Sequence, residues 1–198
     1  MTIQRSPWFL LVLVLLLPAT VFAVVNWYEV RFKALPNLGD AGKAFHLRNQ
    51  QGTRVTGAQW RGKPLIAHYF FTRCPVVCPT MITQLKRVQA AIGADINIVS
   101  LTVDPERDSP PQLLEYIRRM DVNTANWTFL TGEKRELYRL ARNQFRVTAT
   151  DGDGGPGDFI HSEQLVLIDA KGRIRGYYKG TDASGVDRLQ IDAKKLIN

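Results

Sequence analysis

Two apolar runs, Leu65–Phe71 and Ile96–Val103, bracket a segment with helical spacing. Between them, Ile82, Leu85, Val88 and Ile92 recur every three or four positions, and Gly93 ends the run. Strands that are apolar along their whole length must be covered on both faces, which is the situation of a strand inside a mostly parallel sheet flanked by helices. The pattern continues. Asp108-Ser109-Pro110 opens a helix whose expected inner face is Leu113, Leu114, Ile117 and Met120, Trp127–Leu130 reads as a short strand, and Lys134–Phe145 as a third helix. A glycine-rich loop over Thr148–Asp158 precedes a hairpin of Leu165–Asp169 with Ile174–Tyr178, and a last helix runs from about Val186 to Ile197. An earlier hairpin is expected where Lys43–Leu47 and Thr53–Thr56 flank Asn49-Gln50-Gln51-Gly52. Alternating strands and helices closed by an antiparallel hairpin predict an α/β, thioredoxin-like sandwich with a central mixed sheet.

Before this domain lies a different kind of chain. Trp8–Val25 holds 18 residues without a charge, and with Asn26-Trp27-Tyr28 it reaches the roughly 20 residues a membrane-spanning helix needs. Trp8 and Trp27-Tyr28 are placed as interfacial anchors. The run also has features of a cleaved signal peptide, with Arg5 before it and Val21-Phe22-Ala23 inside it, but it is long for a signal core. The expected organisation is therefore residues 1–28 as a membrane anchor or signal segment, 29–40 as a linker and 41–198 as the folded domain. That domain would sit on the periplasmic or extracytoplasmic side of the inner membrane, held by one pass. Without the first 25 residues the chain still carries 25 basic and 18 acidic side chains. They are scattered without runs, so they describe a solvated basic surface and not a nucleic-acid site.

The only two cysteines, Cys74 and Cys78, lie in Phe71-Thr72-Arg73-Cys74-Pro75-Val76-Val77-Cys78-Pro79-Thr80, between a buried strand and a helix. Ligands in α/β folds gather at that end of a strand. Pro79 fits the first helical position, which would put Cys78 at the N-cap, where free N–H groups and the helix dipole lower a thiol's pKa. The pair can close a redox disulfide, or its two soft thiolates can grip one ion such as Cu(I). A third donor would have to be a histidine. His46, in the early hairpin, and His68, inside the first central strand, read as structural residues. His161 differs, since it follows the glycine-rich loop and precedes a strand, a position from which it could reach the cysteines.

Gly62-Lys63-Pro64, the cysteine segment, Thr102-Val103-Asp104-Pro105-Glu106-Arg107-Asp108, Trp127-Thr128-Phe129-Leu130-Thr131-Gly132 and His161-Ser162 together resemble the Sco/SenC family. Its members are membrane-anchored, thioredoxin-fold proteins of cytochrome c oxidase assembly. The resemblance covers about Ala41 to Ile197 in family order. It implies that Cys74, Cys78 and His161 bind one copper ion, and that the protein helps to build the copper centre of the oxidase by delivering copper, by reducing the target's cysteines, or both. Implied partners are the copper-site subunit of the oxidase, other copper chaperones and thiol–disulfide reductants. One departure stands out: the family commonly has an acidic residue between the cysteines, where this chain has Pro75, Val76 and Val77.

A copper-independent thiol–disulfide reductase is the alternative. It needs the cysteine pair and not His161. A peroxidase of the same fold would need a threonine three residues before its nucleophile, but Phe71 and Pro75 occupy those positions. Asp151-Gly152-Asp153-Gly154 begins like a calcium loop but has Pro156 and Ser162 where that loop needs glycine and glutamate. Asp104 is expected in a turn, and Asp108 as a helix cap.

Overall fold

The computed structural model describes residues 7–28, 34–41, 45–147 and 162–197. The loop expected at Thr148–Asp158, and His161 with it, lie outside the described residues. The chain divides into two compact units, Met1–Leu35 and Pro36–Asn198. In the first, helix α1 (Pro7–Tyr28) runs for 22 residues without a charged side chain, about 33 Å at 1.5 Å per residue. Pro18 interrupts its ladder, and the Thr20 hydroxyl donates to the Leu17 carbonyl at 2.9 Å. Several α1 side chains are not described. Among the described residues no helix is long and apolar enough to cross a membrane.

The second unit is built on a sheet of eight described strands: β1 (Gly39–Asp40), β2 (His46–Asn49), β3 (Arg54–Thr56), β4 (Leu65–Phe70), β5 (Asn97–Thr102), β6 (Trp127–Thr131), β7 (Gln164–Ile168) and β8 (Arg173–Lys179). Their order is β1-β8-β7-β4-β5-β6-β2-β3. β5 runs parallel to β4 and β6, and every other pairing is antiparallel. Helices α2 (Val77–Ile92), α3 (Pro110–Arg119), α4 (Lys134–Arg139) and α5 (Ala183–Ile197) complete the unit. This is the thioredoxin-like α/β architecture with a mixed central sheet. Gly39-Asp40, read from the sequence as the end of the linker, instead pairs with Ile174 and Arg173 of β8. The third expected helix ends early as regular α-helix, its last turn widening to i→i+5 bonds over Leu140–Gln144.

Strand β4 has neighbours on both edges, and every one of its six residues is buried. Period-2 alternation then sorts them. Leu65, Ala67 and Tyr69 join a core with Phe45, Trp60, Leu101, Leu137 and Phe145. Ile66, His68 and Phe70 face the opposite side, where Phe70 and Phe129 meet Tyr116 of α3 with ring centroids 5.3 and 6.2 Å away. Tyr116, not Leu114, completes the inner face of α3, and Leu114 stands at the boundary of exposure. Burying an aromatic or branched side chain of this kind is worth about 1.5–3 kcal/mol.

At the end of the sheet where β4 begins, Asp169 closes the β7–β8 turn. Its carboxylate accepts the N–H groups of Lys171 and Arg173 and both guanidinium Nε donors of Arg173 and Arg175, at 2.8–2.9 Å. Burial pushes its pKa up, but these donors outweigh burial and hold it below the usual carboxylate range. The turn's contribution is therefore present above the ordinary aspartate pKa and fades as pH falls below it.

Candidate functional site

At the other end of β4 the backbone leaves the sheet through Phe71-Thr72-Arg73 and turns into α2. A proline is tolerated anywhere in the first turn, because none of those N–H groups has an intrahelical partner. Here Pro79 takes the third helical position, and Val76, not Cys78, is the N-cap. Cys78 thus lies inside the first turn and is buried, while Cys74 sits in the loop and is partly exposed.

That shift by two residues reverses the expected electrostatics. The Cys78 N–H donates to the Cys74 sulfur at 3.3 Å. Burial raises the Cys74 pKa, but the Cys78 N–H, the Cys78 thiol and the N–H groups of Val76 and Val77 outweigh it and bring the thiol below its ordinary value. Burial pushes Cys78 up to about 12, against a hydrogen bond from the Phe71 backbone and with the help of nearby Cys74 and Asp108. The anion the helix terminus favours is on Cys74, not on Cys78 as expected from the sequence.

Both cysteines line one cleft of about 440 Å³, walled by Tyr69, Phe70 and Phe71, by Pro75 of the loop and by Val77 at the start of α2. Ser162 and Glu163, which come next after position 161, line the same cleft. Among the described residues no three His, Cys, Asp or Glu side chains gather as a metal site. The other two histidines are placed elsewhere. His46 is exposed on β2, and His68 is buried on β4 with Nε2 2.6 Å from the Ser100 hydroxyl.

Asp108 has a role that sequence reasoning missed. It is 1% exposed and does not cap α3, whose N-cap is Ser109. Its carboxylate instead accepts the Thr72 N–H at 3.2 Å, the Thr72 hydroxyl at 2.6 Å and the Thr102 hydroxyl at 2.5 Å. Arg119 adds a bond to the Thr72 carbonyl at 2.8 Å. The residue two before Cys74 is therefore pinned to the end of β5. Burial raises the Asp108 pKa, and the threonine donors only partly offset this. Asp108→Ala is expected to cost about 2 kcal/mol in urea unfolding, because it strips buried donors of their acceptor. An unchanged midpoint would show that Thr72 is held by other contacts.

Residues 34–196 match the model of the SCO1/SenC family. The chain belongs to the SCO1/SenC family. Among its relatives in the family, the SCO1 protein homolog of Bacillus subtilis is 30% identical over 154 residues, covering 76% of this chain and 79% of its own length. Protein sco1 of Schizosaccharomyces pombe is 32% identical over 156 residues, and the match spans 57% of that longer protein. In structure, a SCO1/SenC family lipoprotein from Bacillus anthracis superposes with a TM-score of 0.73 at 28% identity, over 83% of this chain and all of the other. Yeast Sco1 with copper bound gives a TM-score of 0.60 at 29% identity, over 80% and 90% of the two chains.

Proposed function

We propose that this chain is a membrane-tethered, copper-handling assembly factor that binds one copper ion through Cys74, Cys78 and His161 and serves the copper centre of cytochrome c oxidase. The observation that carries the reading is that both cysteines line one cleft with Ser162, the neighbour of His161 in the chain. The donor set fits the ion: two thiolates and an imidazole are the soft and borderline ligands that Cu(I) prefers. Solved relatives such as yeast Sco1 hold copper, which supports copper as the cargo here. The uncharged helix α1, whose described side chains Val14, Leu16, Leu17, Phe22 and Trp27 are exposed, supports an N-terminal anchor. The folded unit would then lie on the extracytoplasmic side of the inner membrane, followed from the anchor through a short linker.

Copper counted on the reduced full chain in a non-ionic detergent, without oxygen and against a Cu(I) chelator, tests the reading. One ion per chain is expected, held at least tenfold more weakly after His161→Ala. Equal retention in both proteins would remove His161 from the site.

A second reading, a thiol–disulfide reductase for the cysteines of the target, is favoured by the asymmetry of the pair. An accessible sulfur with a lowered pKa beside a buried one with a raised pKa suits an attacking and a resolving thiol. The two readings are compatible, since the copper ligands are also the dithiol.

A further inference from the structure

The loop bearing the accessible sulfur is unevenly charged. Pro75, Val76 and Val77 carry no charge, and Val76 is 66% exposed. Arg73, next to Cys74, is exposed and makes no ion pair among the described residues. Among the described residues most acids nearby are already engaged. Asp104 pairs with Arg107 at 3.2 Å, Asp108 is buried under Thr72 and Thr102, and Glu163 faces Lys179 at 3.6 Å and the Thr181 hydroxyl at 2.7 Å. Glu115 shares a small polar hollow with Arg73 and Arg119, leaving that hollow one positive charge in excess.

We propose that the exposed loop around Cys74 selects partners whose disulfide lies in an acidic stretch of chain, with Arg73, the neighbour of Cys74, as the specificity-determining cation. The inference rests on the dithiol reading above. In the reaction the Cys74 thiolate attacks one sulfur of the partner's disulfide. That S–S bond breaks, a Cys74–partner bond forms, and the second partner sulfur leaves as a thiolate that takes a proton from water. Cys78 then loses its proton to solvent and attacks the Cys74 sulfur, which expels the first partner sulfur. The partner's disulfide gains two electrons and two protons, and this chain ends with a Cys74–Cys78 disulfide. In a water-like dielectric a unit charge about 8 Å from a reacting charge changes a rate about two- to threefold, and reversing it about fivefold.

Two small disulfides of opposite charge separate this from a general change in thiol reactivity. The reduced full chain in non-ionic detergent is mixed at pH 7 and low salt with glutathione disulfide, which is anionic, or cystamine, which is cationic. In Arg73→Glu the rate with glutathione disulfide is expected to fall about fivefold and that with cystamine to rise about fivefold. Arg73→Gln is expected to show half the logarithmic effect. Lys171→Glu, in the β7–β8 turn at the opposite end of the sheet, changes the net charge equally and is expected to move the ratio of the two rates less than twofold. High salt should erase the Arg73 effect. An unchanged ratio in Arg73→Glu, or an equal change in Lys171→Glu, would overturn the assignment of Arg73 and leave the dithiol reading standing. Failure of the wild-type chain to exchange with either probe would overturn both.

Discussion

Serine at position 78 is expected to abolish copper binding and leave a fast-reacting thiol, whereas serine at position 74 is expected to abolish both. The distinction follows from where helix α2 begins. With Val76 as N-cap, the free N–H groups of the first turn converge on Cys74, and Cys78 is enclosed by the helix itself. A thiol at about 12 is ionised to roughly one part in ten thousand at pH 8. Greater intrinsic nucleophilicity recovers only part of that, so Cys78 should react with iodoacetamide on the order of a hundredfold more slowly than Cys74. Mass spectrometry of time points from the two single variants and the reduced wild type measures this. Equal labelling of both cysteines would mean that the helix start described above is wrong. Copper retained at full stoichiometry by either variant would remove that cysteine from the ligand set.

Moving from pH 7.5 to pH 4.5 is expected to cost about 3 kcal/mol of stability through His68. The imidazole is wholly buried, and burial lowers its pKa from 6.5 to about 3, with the Tyr69 backbone acting weakly the other way. The unfolded chain therefore takes up a proton below pH 6.5 that the folded chain refuses until near pH 3. Stability is full above 6.5 and falls as pH drops through that window. Asp169 loses its contribution only below the ordinary aspartate pKa, and Asp108, whose pKa is raised, acts in the opposite sense above it. Between pH 6.5 and 4.5 the histidine is the member of this set through which stability is lost. Urea unfolding of the wild type at pH 7.5, 5.5 and 4.5 should show the loss, and His68→Met should flatten it. A variant that keeps the wild-type slope would place the acid sensitivity elsewhere.

His68 also shows where the sequence could be read and where it could not. Its place in an apolar strand is plain from Leu65-Ile66-Ala67-His68-Tyr69-Phe70, but no local pattern accounts for a histidine there. Its partner, Ser100, lies 32 residues away on the neighbouring strand and also accepts the Trp127 indole N–H at 2.8 Å. Hydrogen bonds across a sheet depend on register, which periodicity does not encode. Most strands and helices were legible, as apolar runs or as helical spacing, whereas β1, read as linker, forms only through its pairing with the distant β8. The position of the cysteine pair, between a buried strand and a helix, was legible too.

The start of α2 was misplaced because a proline fixes a first turn but not a position within it. Asp108 was misread for a related reason. An aspartate just before Ser109-Pro110 has the local signature of a cap, and only the fold brings Thr72 within reach of it. Tyr116 was passed over on α3 because its spacing matches the inner face as well as its neighbours' does, and the packing of Phe70 and Phe129 decides which residue points inward.

The sheet's borders have a consequence for how copies of the protein behave when crowded. On one side the outermost strand, β3, is three residues long, and on the other β1 covers only the start of β8. Along the rest of β8 the sequence places Arg175 and Lys179. A strand from another molecule would find too short a row of backbone groups on the first border, and on the second the start of β8 already taken by β1. Among the described residues, self-association through the sheet edges, the usual route from a β-rich domain to aggregates, is limited on one side by the shortness of β3 and on the other by β1 on β8.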